Sequence, residues 1–352
     1  MVEKSQITNN HVTYTKAIAI ILMVLVHAST PSFLGKLVSM FHMPLFFFMS
    51  GYCFKEKYLL NPMSFVIKRV KGLYFPFVKW GCFFLILHNV FLLTGIYSTE
   101  SGYNDCIYGF SDLLQRGWGV LKFKYSEQLL GGYWFLSALF FASLISFFCI
   151  KFIRNLYLAI LFTIGGGFIL GFLFKNQLHT FGLCEKWFLA SSMFIVGYIF
   201  AHNKILPFNI KLTLIGFSLV IIGTFFWPMS MHLDYYSSPM VFPYFFTAII
   251  GTWCVYSCCF LLLNEPESKL ERLLCFIGEN TISILTWHFL SFKLVSLLIV
   301  KVYNYRLDLI GQHPVISEKL NIFWSILYTV VGVFLPLLFV LFKKKFLCKT
   351  NN

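Results

Sequence analysis

Charge is scarce in this sequence. Asp, Glu, Lys and Arg make up 12% of its 352 residues, and acidic residues number only 14. Soluble domains carry about 25% charged residues, so a surface built from this chain could not be solvated everywhere. The deficit excludes an ordinary soluble enzyme, a disordered chain and a nucleic-acid binder. Metal-site spacing is missing as well. The ten cysteines form no C-x-x-C pair and no zinc-type pattern, so no metal is expected. Cys106 and Cys184 fall in predicted outer loops and could pair in an oxidising compartment. The chain has no internal repeat, no G-x-S-x-G, no Ser-His-Asp order and no glycine-rich phosphate loop. No carboxylate falls deep in an apolar run, which weakens a proton-coupled transport reading, because proton relays usually use Asp or Glu.

What the chain does have is apolar mass. Hydrophobic residues are 58%, aromatics 20% with 44 Phe, and the mean hydropathy is +0.76. A helix needs roughly 20 apolar residues to cross a bilayer. Ten stretches qualify: 15–33, 38–55, 74–95, 133–153, 156–175, 187–202, 208–228, 242–263, 279–300 and 321–342. Barrel-type alternation is absent, and a backbone in lipid must satisfy its own hydrogen bonds. The expected fold class is therefore all-α, a polytopic transmembrane bundle forming one membrane-embedded domain over 1–352. The first fourteen residues are polar, so 15–33 reads as a retained span rather than a cleaved leader.

Lys and Arg set the expected orientation. They concentrate at Lys4 and Lys16, in the connection holding Lys55, Lys57, Lys68, Arg69 and Lys71, and in the tail Lys343, Lys344, Lys345 and Lys349. An even span count with these segments on one side predicts both termini in the cytoplasm. The net charge of +14 then marks topology. Phosphate binding on the cytoplasmic face is the second reading of the same residues.

Ionisable residues inside spans are functional candidates by default. Lys16 and His27 are eleven residues apart, which at 100° per residue is about 20° past three turns and a rise of roughly 16 Å. They share a helix face. The bland readings are an interfacial anchor for Lys16 and a carbonyl-bonded core histidine for His27. His42 opens the second span, in Phe41-His42-Met43-Pro44-Leu45-Phe46-Phe47-Phe48-Met49-Ser50-Gly51-Tyr52, with capping as its alternative role. Ser50-Gly51 offers a small surface for close helix approach. His288 is mid-span, and Lys293 follows at about 140° around the helix. His88 lies near the outer end of the third span and reads as an interface residue.

These residues in this order resemble acyltransferase family 3, integral membrane proteins that move acyl groups, often acetyl, from a cytoplasmic coenzyme A thioester to carbohydrate-like acceptors. Lys16 and His27 match the family's Lys/Arg-x10-His spacing. Phe41 to Tyr52 is similar to its His-Met-Pro-x-Phe-Phe-x-x-Ser-Gly signature. Arg69 to Pro76 resembles its basic segment, although Gly72 stands where many members have a second arginine. Trp134-Phe135-Leu136 and Ile277-Gly278 through His288 resemble two later segments.

The resemblance implies a multi-pass protein of a bacterial inner membrane. It would transfer an acyl group from acyl-CoA, probed most simply as acetyl-CoA, to a hydroxyl of a cell-surface or lipid-linked glycan. Acyl-CoA is a co-substrate, and no permanently bound cofactor is expected. Lys16, Lys68, Arg69 and Lys71 are the candidate phosphate partners, since arginine can bind phosphate bidentately. His27 is the candidate general base, because an imidazole titrates near about 6.5, and His42 is a second proton carrier or acceptor-orienting group. A covalent acyl-histidine route stays open. His288, Lys293 and Trp134 are candidate oxyanion or acceptor contacts. Trp118, Tyr125 and Tyr133 are candidate sugar-stacking residues. The competing class is a transporter or exporter of a glycan or lipid intermediate, which would move substrate without consuming acyl-CoA. A noncatalytic membrane partner would do neither.

Overall fold

The computed structural model describes residues 2–98, 106–174, 184–230, 240–263, 268–316 and 321–350. The side chains of Lys4, Lys344 and Lys349 lie outside the described residues. Among the described residues the regular structure is helical throughout, with no strand. In chain order the helices are α1 (Val2–His27), α2 (Ser32–Ser39), α3 (His42–Tyr52), α4 (Lys57–Leu60), α5 (Pro62–Arg69), α6 (Phe75–Ile86), α7 (His88–Leu93) and α8 (Phe110–Leu121). They continue as α9 (Trp134–Phe152), α10 (Leu156–Leu173), α11 (Lys186–His202), α12 (Ile210–Phe226), α13 (Val241–Leu262), α14 (Lys269–Glu279), α15 (Thr281–Tyr303) and α16 (Ile322–Thr350). A π-helical turn (Val70–Tyr74) joins α5 to α6, and 3₁₀ turns run over Gln128–Tyr133 and Leu307–Gly311.

Seven of the expected stretches coincide with helices long and apolar enough to cross a membrane: Asn10–His27, Ser32–Tyr52, Gln128–Phe152, Leu156–Leu173, Val241–Leu262, Thr281–Tyr303 and Ile322–Lys343. Two others, α11 and α12, are apolar but 17 residues long. The stretch 74–95, expected as one span, is interrupted at Leu87 between α6 and α7. The physical reason is polar. His88 and Asn89 turn their side chains onto Cys106, Tyr108 and Glu127, while Leu87 itself keeps helical φ and ψ of −84° and −1°.

Local sequence sets the helix ends. Asn61, Asn155 and Asn209 are N-caps whose side chains accept from backbone amides of the first turn, and Pro62 follows Asn61 at the first helical position. Asn304 ends α15 in the left-handed region, at φ 52°. Large apolar side chains such as Phe162, Phe172, Leu214, Phe225 and Phe339 are exposed, as lipid-facing surfaces require.

The chain divides into two compact units that interleave along the sequence. The first comprises residues 1–19, 36–77 and 135–275. In it, α3 lies against α11 at backbone contact. A Cβ on Gly51 would run into the Phe194 carbonyl oxygen, and one on Gly197 into that of Phe48. The small surface expected at Ser50-Gly51 is therefore used as a close helix crossing. Phe54, Phe65, Phe147, Phe194 and Tyr198 form an aromatic core beside it. The second unit comprises residues 20–35, 78–134 and 276–352. Here α15 packs on α16 and on both 3₁₀ turns. Trp287 is surrounded by Trp80, Phe83 and Phe84, and the Tyr328 hydroxyl bonds Ser296 at 2.9 Å.

Candidate active site

The polar centre of the second unit begins at His27, the last residue of α1. Its Nδ1 lies 3.1 Å from Nε2 of His288, and the two rings are nearly parallel at 16°. His288 is fully buried, whereas His27 is half-buried. The Nδ1 of His288 sits 2.9 Å from the Leu285 carbonyl and 3.1 Å from that of Ile284. Carbonyl oxygens can only accept, so His288 donates from Nδ1. In the neutral ring its Nε2 is then an acceptor, and His27 donates its Nδ1–H to it. The basic lone pair of His27 is thereby placed on Nε2. One turn of α15 backbone selects, through two imidazoles, the tautomer in which the accessible ring can take a proton.

Two consecutive glycines border this pair. A Cβ on Gly132 would meet Leu285 at 2.9 Å and lie 3.8 Å from Cε1 of His288 and 4.0 Å from Cε1 of His27. A Cβ on Gly131 would lie 3.5 Å from Nε2 of His313 and from the Phe289 ring. Phe289 is wedged among three imidazoles, with ring centroids 4.8 Å from His27, 3.9 Å from His288 and 4.6 Å from His313. The turn that carries the glycines is fixed by Tyr133. Its hydroxyl donates at 2.7 Å to Thr286, whose own proton goes to the Ile282 carbonyl.

Lys293 is buried on α15. Its ammonium donates to the carbonyls of Ile310 at 2.9 Å, Gly311 at 3.2 Å and Gln312 at 2.7 Å. An ammonium has three protons, so all of them are engaged here. In this geometry Lys293 holds the segment leading into His313 and has no donor left for an oxyanion. Burial, then Lys293 and His288 nearby, push the His313 pKa down to about 3, so its ring is neutral at any ordinary pH.

A second polar network anchors the other end of the glycine turn. His88 and Glu127 pair at 2.9 Å with both side chains at 0% exposure. The other nitrogen of His88, Nε2, donates to the Cys106 carbonyl at 3.1 Å. Both ring nitrogens of His88 are thereby engaged. Tyr125 donates to the second Glu127 oxygen at 2.8 Å and lies 3.1 Å from the Tyr108 hydroxyl. Burial and the Glu127 carboxylate push the Tyr125 phenol up, keeping it protonated as a donor. Tyr108 stacks on the His88 ring at 3.5 Å, and Arg116 lies 4.0 Å from the Tyr108 centroid.

The three expected sugar-stacking residues sit in different surroundings. Tyr133 is fully buried, and Tyr125 is committed to Glu127. Trp118 stays exposed at 59%, beside the Lys122 ammonium. Trp134 opens α9 and is half-buried. Cys106 and Cys184 are both free thiols.

The remaining candidates lie in the first unit. His42 is buried and donates Nδ1–H to the Val38 carbonyl at 2.8 Å, which puts its lone pair on Nε2. Lys16, Lys68, Arg69 and Lys55 all lie within electrostatic reach of the Cys53 thiol, just past the end of α3. Lys71 is exposed on the π-helical turn and is not among them. Arg69 donates from Nη2 to Ser50 at 3.2 Å and lies over the Phe65 and Phe194 rings at 4.8 and 5.8 Å. Its Nε is buried without a hydrogen-bond partner among the described residues, and burial pushes its pKa down to about 10. Lys68 is exposed and donates to the Tyr58 hydroxyl at 3.1 Å.

Apolar helices with lipid-type surfaces, enclosing an imidazole pair with one accessible ring, define an integral membrane protein organised around buried histidines. The family model for the acyltransferase domain matches residues 9–341. The chain belongs to acyltransferase family 3 and is a membrane acyltransferase. No curated protein and no solved structure shows a significant match to it.

Proposed function

We propose that this acyltransferase moves an acyl group, acetyl in the simplest case, from cytoplasmic acyl-CoA to a hydroxyl of a cell-surface or lipid-linked glycan. The protein would span the membrane about ten times, with both termini in the cytoplasm of a bacterial inner membrane. The observation that carries the chemistry is the His27–His288 hydrogen bond, which directs the lone pair of the half-buried His27 ring to Nε2. His27 is assigned as general base for the attacking hydroxyl, and His288 as the group that orients it. His42, with its lone pair on Nε2, is assigned to the acceptor or to a second proton transfer.

The cations around Cys53 favour acyl-CoA over export of a glycan or lipid intermediate. A polyanionic nucleotide needs several positive groups at one place, and Lys16, Lys55, Lys68 and Arg69 supply them.

The test is release of free CoA thiol by the purified protein, with and without acceptor. Glycan movement without thiol release would favour the exporter reading. In the same assay Arg69→Ala should raise the KM for acyl-CoA by about 10-fold or more, the worth of a charge-assisted hydrogen bond, with the acceptor KM nearly unchanged. An unaltered acyl-CoA dependence would remove Arg69 from the phosphate site.

A further inference from the structure

We infer that His313 is the hydrogen-bond donor to the oxyanion formed at the acyl carbonyl, presented through Nε2 at the Gly131 edge of the site. The inference rests on the acyl-transfer reading given above. It starts from the asymmetry of the ring. Among the described residues the Nδ1 of His313 is buried without a hydrogen-bond partner, whereas Nε2 is the nitrogen that faces Gly131. A buried N–H without an acceptor is rarer and costlier than a buried lone pair. The proton of the neutral ring therefore belongs on Nε2.

Position supports the role. His313 and His27 flank the same Phe289 ring, and consecutive glycines face them, Gly131 toward His313 and Gly132 toward His27 and His288. Absence of a Cβ at both positions lets the turn backbone lie close against the rings of His313, His288 and His27. The segment that delivers His313 is held by three hydrogen bonds from Lys293, which makes Lys293 a positioning residue. A donor held rigidly before the reaction stabilises developing charge without reorganising. A permanently neutral histidine suits that task, because it donates at every working pH and does not compete with His27 as a base.

The step balances as follows. The acceptor hydroxyl oxygen bonds to the thioester carbonyl carbon and passes its proton to Nε2 of His27. The carbonyl π pair moves to oxygen, and that oxyanion accepts the hydrogen bond from Nε2–H of His313. On collapse the C–S bond breaks, and the thiolate takes the proton back from His27. An ester and a free thiol result, and His313 keeps its proton throughout.

The experiment uses membrane vesicles bearing the full chain with its endogenous acceptors and deuterated acetyl-CoA, reading thiol release and label incorporation. His313→Leu should lower kcat by about 10²-fold, as loss of one oxyanion donor does. The KM for acetyl-CoA should stay within about twofold, and the acid limb of the pH–rate profile should not move. His313→Gln, which restores an N–H at similar reach, should recover about tenfold of that loss. Three results would overturn the assignment: His313→Leu at wild-type rate, His313→Gln no better than His313→Leu, or an acid limb that shifts when His313 is removed. Absence of label and thiol in the wild-type vesicles would instead refute the acyl-transfer reading beneath it, and this inference with it.

Discussion

Replacing His27 with alanine is expected to lower acyl transfer by about 10²- to 10⁴-fold, the usual contribution of a positioned general base, in a protein that still inserts and folds. The expectation follows from where the substitution acts. His27 is the half-buried member of the pair and closes α1, so its removal empties the accessible end of the site. The fully buried His288 keeps both carbonyl acceptors on its Nδ1. Fold is therefore preserved where it is densest, and chemistry is lost where it is accessible. His288→Gln should do less. It removes the group that dictates the His27 tautomer but leaves a base present, so kcat should fall while the acid limb persists. Thiol release, label transfer and unfolding temperature measured together separate these outcomes. Turnover within about tenfold of wild type in a folded His27→Ala protein would remove His27 as the base. Equal losses in His27→Ala and His288→Gln would mean that the pair acts as one unit.

His27, His288 and Lys293 could be singled out from sequence because each interrupts an apolar run, where a polar side chain is conspicuous against its neighbours. The close crossing at Gly51 was legible for a similar reason, since small residues in a Phe-rich stretch have few other uses. His313 was not legible. It lies in a connection between helices, where a histidine is unremarkable, and its neighbours Gly131 and Phe289 are far away in the chain. The role of Lys293 was hidden because its partners are backbone carbonyls, which every sequence supplies. Sequence marked Lys293 as a candidate oxyanion or acceptor contact but not as the group that holds the turn before His313. The interruption at Leu87 was missed because hydropathy continues through it, and the partners of His88 and Asn89, Glu127 and the backbone of Cys106 and Tyr108, come from later in the chain. Glu127 lies in the connection before the expected span 133–153, where a carboxylate is unremarkable, although its side chain is fully buried.

Glu127 leads to the second large effect, on stability. Glu127→Ala and His88→Ala should each destabilise the protein by about 3–5 kcal/mol, the range for breaking a buried ion pair by removing one partner. Both side chains are at 0% exposure. Removal of the carboxylate leaves the His88 ring without an acceptor at Nδ1 and the Tyr125 hydroxyl without its acceptor at 2.8 Å. The double variant His88→Phe, Glu127→Leu should recover much of the loss, because an apolar pair of similar volume leaves no uncompensated charge. Phe in place of His88 also keeps a ring to stack on Tyr108. Activity should follow stability. Glu127 directly precedes the 3₁₀ turn that carries Gly131 and Gly132, and its carbonyl accepts from Leu130 at 2.8 Å. The single variants should thus lose transfer activity through displacement of this turn, with the double variant regaining it. Chemical or thermal unfolding in detergent, run as a double-mutant cycle, decides the matter. Single losses under about 1 kcal/mol would show that the pair is weak, as exposed pairs are. A double variant as unstable as the sum of the singles would show that His88 and Glu127 stabilise the fold independently rather than as a pair.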